Sequence, residues 1–186
     1  MSLIKELNNN NLTFEKCKNI IKINASLLPN VPEKYLNHEM CKIAVEQLGL
    51  LLSNVPEKII NNEICELAVK QNGMALSLVP DKIINNEICV LAVKQNGMAL
   101  SLVPEKIINN EICELAVKQN GMALKFVPKS KQTFELCRYS IEQYASSIIF
   151  VHNQTIELCE IANKQYLYSV DNLIIRKNKK IKYTNI

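Results

Sequence analysis

Around Cys65, apolar and polar side chains alternate with the period of an α-helix. Counting about 100° per residue from Cys65, Val69, Leu67, Ile64 and Ala68 fall at about 40°, 200°, 260° and 300°. Glu63, Glu66 and Lys70 cluster between about 100° and 160°. More than half of the circumference is apolar, which suits a helix flanked by neighbours on both sides. The ends are marked as well. Asn61 is a good N-cap, and Glu63 sets a carboxylate at the positive end of the helix dipole. Gly73 stands where a left-handed residue would stop the helix. A short apolar segment from Met74 to Val79 follows, and Pro80 then opens a turn into the next cap.

The pattern returns every 24 residues. The phrase NNEICELAVKQNGMALSLVP runs from Asn61 to Pro80 and recurs from Asn85 with Val90 in place of Glu66. Aligning on Cys17, Cys41, Cys65, Cys89, Cys113, Cys137 and Cys159 gives seven repeats, the last step shortened. Thr13, Asn37, Asn61, Asn85, Asn109, Thr133 and Thr155 fill the cap column, and Glu15, Glu39, Glu63, Glu87, Glu111, Glu135 and Glu157 the dipole column. A unit this short cannot enclose a core alone, but stacked units can. The expected fold is an all-α solenoid of seven helix-turn-helix repeats over residues 11–172, closed by degenerate terminal repeats. A leader helix, Leu3 to Leu7, and a linker precede it within residues 1–10, with linker composition continuing to Asn11, and a basic tail, 173–186, follows. A leucine-rich-repeat-like solenoid is the alternative, because Ile64 to Met74 also satisfies L-x-x-L-x-L-x-x-N-x-L. It would expose a cysteine in every repeat, and its asparagine column reads Asn24, Leu48, Asn72, Asn96, Asn120, Tyr144 and Tyr166.

The cysteines carry no chemistry in this reading. Disulfides need Cα atoms about 4.4–6.8 Å apart, whereas stacked helices sit about 8–10 Å apart. Zinc sites need Cys or His two to five residues apart. Small buried hydrophobes in a reducing compartment are expected, with no disulfide, metal site or cofactor. His38 and His152 fall in different repeat columns, so no Cys–His spacing recurs.

Charge is unevenly placed. Five of the 22 basic residues, Arg176, Lys177, Lys179, Lys180 and Lys182, follow Asp171, leaving 17 basic residues against 18 acidic ones before them. A nearly neutral body does not supply the clustered cations of an extended phosphate-binding surface. Only the tail could bind nucleic acid or act as a nuclear import signal. No stretch is apolar for long enough to span a membrane, so a cytoplasmic setting is expected, with a nuclear one open through the tail.

Two columns are candidates for recognition. Gln47, Gln71, Gln95, Gln119, Gln143 and Gln165 lie between apolar columns, where a buried amide must find partners. They form either a ladder bonding neighbouring turns or a row of amides open to a peptide or to bases. Lys70, Lys94 and Lys118, four residues after Glu66, Val90 and Glu114, make the expected exposed face.

The phrase LAVKQNGMAL resembles short tandem helical repeats, catalogued as a domain of unknown function, in giant DNA viruses of amoebae and in effectors of amoeba-infecting bacteria. The resemblance is strongest over residues 55–128 and weakens outward, where Ala25, Ala145 and Leu167 replace the glycine. It implies a helical array and a viral or effector context, and it transfers no active-site residue. No catalytic residue is expected, since nearly every distinctive residue is copied four to seven times. The expected function is a non-catalytic scaffold for a protein partner, with a host protein among the candidates. The alternative is nucleic-acid binding driven by the tail.

Overall fold

The computed structural model describes residues 3–7 and 11–167. Each of the first six repeats contributes a ten-residue α-helix and a six-residue 3-10 helix, and in the first five a turn begun by proline follows. The α-helices are α1 (Leu3–Leu7), α2 (Phe14–Ile23), α3 (His38–Gln47), α4 (Asn62–Gln71), α5 (Asn86–Gln95), α6 (Asn110–Gln119), α7 (Phe134–Gln143) and α8 (156–167). The 3-10 helices after α2 to α7 are Ala25–Asn30, Gly49–Asn54, Gly73–Leu78, Gly97–Leu102, Gly121–Phe126 and Ala145–Phe150. Ile64 to Gln71 is helix, and no strand occurs among the described residues, so the fold is the helical array and not the leucine-rich alternative. The helix won because its caps satisfy backbone groups locally. Asn61 Oδ1, for example, accepts from Ile64 N at 3.0 Å, a cap whose loss costs about 1 kcal/mol.

The chain divides between Ile108 and Asn109 into two compact units. In the first, α2 to α5 pack successively in one layer, their 3-10 helices pack successively in a second, and α1 rests on Ala25–Asn30. In the second, α6 packs on α7 and Gly121–Phe126 on Ala145–Phe150. Both cores are built from the same columns. Ile88, Cys89, Ala92, Val93, Ala99 and Leu100 in one unit are buried, as are Ile112, Cys113, Ala116, Val117, Ala123 and Leu124 in the other. Burying one of the larger aliphatic side chains contributes about 1.5–3 kcal/mol.

The glycine column does not stop helices by a left-handed turn. No glycine among the described residues has positive φ. Helix α4 ends instead at Asn72, which is extended (φ −147°, ψ 109°), and Gly73 is the first residue of the next 3-10 helix. The need for glycine is steric: a Cβ on Gly73 would overlap the Ala92 carbonyl oxygen of the following repeat, and one on Gly49 would overlap that of Ala68. Asn72 has its own task, since its Oδ1 accepts from Met74 N at 3.0 Å and starts the 3-10 helix.

The second unit carries a compensated exchange. Where the three central repeats pair Ala68 with Ala75, Ala92 with Ala99 and Ala116 with Ala123, the repeat of Cys137 has Ser140 with Ser147, both fully buried. Ser140 Oγ donates to the Gly121 carbonyl at 2.7 Å, so Ser147 donates to Ser140 across 2.8 Å. Ser140→Ala is expected to cost about 1–3 kcal/mol, because it strands the Ser147 hydroxyl. The double change to alanine restores the pattern of the three central repeats and is expected within about 1 kcal/mol of the parent. Urea unfolding of the two singles and the double completes the cycle.

Candidate interaction surface

The outward side of each α-helix is set by its cap. Three residues after the cap the chain turns inward at Ile64 or Ile88, leaving residues such as Lys70 and Lys94 outside. Lys70, Lys94, Lys118 and Glu114 are exposed, whereas Glu66 and Val90 are half-buried on the flank of the helix. Lys70 pairs with Glu66 at 3.2 Å and Lys118 with Glu114 at 3.7 Å, each one helical turn apart. Lys94 has Val90 in that place.

Position Glu66 belongs to a column that elsewhere reaches the next repeat. Lys18 meets Glu39 at 2.5 Å and Lys42 meets Glu63 at 2.6 Å. The glutamate column therefore serves inter-repeat pairing as well as the helix dipole. The hydrogen bond from Lys42 holds the Glu63 carboxyl below the usual carboxylate range. A second row runs along the proline turns, with Lys58 on Glu33 at 2.8 Å and Lys82 on Glu57 at 3.3 Å.

The glutamines form a ladder, but an exposed one. Each of Gln47, Gln71, Gln95, Gln119 and Gln143 is the last residue of its α-helix and is exposed, and Gln165 on α8 is half-buried. The angular argument that placed them inside fails at the helix end, where no further turn covers them. Gln71 Oε1 accepts from Gly49 N at 2.7 Å while its Nε2 donates to Gln47 O at 2.9 Å. Gln95 repeats this with Gly73 N at 2.6 Å and Gln71 O at 3.3 Å. Gln47 donates to Ile21 O and Lys22 O, both at 3.2 Å. In the second unit Gln143 Oε1 accepts from Gly121 N at 2.9 Å and its Nε2 donates to Val117 O at 3.0 Å. Every glutamine so described reaches back to the preceding repeat, and the first repeat has Ile23 at this position. Gln71→Leu is expected to cost about 1–3 kcal/mol by stranding the buried Gly49 N–H. Gln71→Glu keeps the acceptor but sets a carboxylate against the negative end of α3, so both variants should melt earlier by circular dichroism.

In the second unit an open groove of about 240 Å³ lies on the outer face, lined in part by Glu114, Lys118, Glu135, Arg138 and Tyr139. Arg138 Nη2 donates to Glu135 at 2.7 Å and its Nη1 to Glu142 at 2.6 Å. Sequence reading passed over Tyr139. Its signal was available, since it takes the column of Leu67, Leu91 and Leu115. The seven thiols are free, six of them buried and Cys159 half-buried. The basic residues Arg176, Lys177, Lys179, Lys180 and Lys182 lie outside the described residues. Among those described, no group of three or more His, Cys, Asp or Glu could hold a metal ion, and no helix is long and apolar enough to cross a membrane.

These features define a tandem-repeat protein of the all-α class, with its conserved-looking columns spent on joining one repeat to the next. Residues 61–108, and again 85–132, match a domain of unknown function (DUF4116). Each match spans two repeats, and the second begins one repeat after the first. No curated protein and no solved structure matches the chain.

Proposed function

We propose that the chain is a non-catalytic repeat scaffold that binds a protein partner through the outer faces of its α-helices. One observation carries this reading. The cysteine, glycine and glutamine columns are consumed by the stack itself, whereas Lys70, Lys94 and Lys118 recur every 24 residues of sequence, are exposed, and among the described residues make no inter-repeat ion pair like those of Lys18 or Lys42. Exposed cations copied from repeat to repeat suit an acidic protein partner better than a single reacting centre, which needs a unique constellation. The resemblance to repeats of amoebal viruses and bacterial effectors makes an amoebal lysate the place to look for that partner.

The test is affinity capture from lysate, with and without nuclease treatment, using the full chain, the triple variant Lys70→Glu/Lys94→Glu/Lys118→Glu, and a chain ending at Asn172. A stoichiometric protein held by the first and third but lost from the second supports the scaffold. Capture that vanishes with nuclease treatment or with the tail removes it in favour of nucleic-acid binding.

A further inference from the structure

Three repeats pass from α-helix to 3-10 helix through an Asn–Gly pair: Asn72–Gly73, Asn96–Gly97 and Asn120–Gly121. Asn–Gly is the dipeptide in which succinimide formation is least hindered, because glycine sets no side chain beside its nitrogen. In that reaction the deprotonated glycine nitrogen attacks the asparagine Cγ. A new N–C bond forms as the carboxamide nitrogen leaves as ammonia, taking up the proton lost by the glycine. Water then adds to either carbonyl of the ring, giving aspartate or isoaspartate.

The fold engages both reacting groups. Gly73 is buried, and its N–H donates to Gln95 Oε1 of the following repeat at 2.6 Å. The Asn72 carboxamide is held as a cap, its Oδ1 accepting from Met74 N at 3.0 Å. The second unit repeats the arrangement, with Gly121 N on Gln143 Oε1 at 2.9 Å and Met122 N on Asn120 Oδ1 at 3.0 Å. A nitrogen whose proton is committed to a neighbour in a buried site is neither deprotonated nor free to turn toward Cγ.

We propose that Asn72 and Asn120 are latent deamidation sites, kept inert by the glutamine of the following repeat and released when that repeat interface opens. The products would not be equivalent. Aspartate keeps the capping oxygen and adds a negative charge. Isoaspartate lengthens the main chain by one methylene beside Gly73, where the fit against Ala92 tolerates no added atom. An interface that had opened for long enough would then be unable to reclose.

The experiment incubates the full chain at mildly alkaline pH and follows each Asn–Gly junction by peptide mass and isoaspartate content. Folded protein is expected to react roughly tenfold or more slowly at Asn72 and Asn120 than guanidinium-unfolded protein, as local opening limits the rate. Gln95→Met should accelerate Asn72 while leaving Asn120 at the parent rate, and should do so by more than Gln95→Glu, which retains an acceptor for Gly73 N–H and loses only the donor to Gln71 O. Equal rates in folded and unfolded chains, or a folded Gln95→Met protein with unchanged Asn72, would overturn the proposal. If Gln95→Met unfolds the chain, both junctions react together. The decision then rests on the parent protein in graded denaturant: loss of Asn72 must rise in step with exchange of the Gly73 N–H, and independence of the two overturns it.

Discussion

Gly73→Ala is expected to destabilise the protein by about 3 kcal/mol or more, a loss at the upper end for overpacking. The sign is the informative part. At a residue with negative φ, replacing glycine by alanine normally stabilises by about 0.4–1 kcal/mol, because it restricts the unfolded chain. Gly73 has no positive φ to protect, so its backbone would accept alanine. The penalty comes from the next repeat, whose Ala92 carbonyl oxygen occupies the space a Cβ would need. That oxygen belongs to helix backbone and cannot rotate away, so the two repeats must separate. Separation would also weaken the bond from Gly73 N to Gln95. Gly121→Ala provides the graded control, since its nearest contact, Ser140 O, is 3.0 Å from the Cβ position and a small shift would relieve it. Urea unfolding of both variants should rank Gly73→Ala well below Gly121→Ala, and equal losses would refute the steric account.

A second large effect is expected in alkali. Burial pushes the thiols of Cys41, Cys65 and Cys89 up to about 11, and raises those of Cys17, Cys113 and Cys137 as well. In an unfolded chain they ionise near 8.5. The folded value lies above the unfolded one, so the native state binds more protons in this range and stability falls as pH rises. The contribution is complete below about pH 8.5 and is lost as pH climbs through about 11. Several thiols titrate together, so the denaturation midpoint should fall steeply across this window. The triple change of Cys41, Cys65 and Cys89 to alanine isolates the thiol contribution. Its stability curve should be flatter than the parent's between pH 8.5 and 11, from a lower starting point because volume has been removed from the core. Thiolate absorbance of Cys41, Cys65 and Cys89, read as the difference between parent and triple variant, should grow as the parent unfolds across this window.

Much of this protein was legible in one dimension because its repeats use local signals. An asparagine that caps its own helix three residues on, a glutamate in the first turn and a proline opening the turn all act within a few residues, so Asn61, Glu63 and Pro80 announced the element order unaided. The 3.6-residue period around Cys65 specified which columns would be buried, and the 24-residue recurrence implied that the units cover one another. The roles of glycine and glutamine were decided only in three dimensions. A glycine after a helix has two explanations, a left-handed turn or a close approach, and only the Ala92 carbonyl of the next repeat selects the second. The glutamines looked interior on a helical wheel, which assumes an endless helix. At the last residue of a ten-residue helix the amide stands at the edge of the stack, exposed and bonded backward across the repeat boundary. The bond from Ser140 to the Gly121 carbonyl and the outer groove beside Tyr139 belong to the same class, since residues with no neighbourhood in sequence acquire one only when repeats stack. Local hydrogen bonding and periodicity determined the elements, and packing between repeats determined what each conspicuous residue is for.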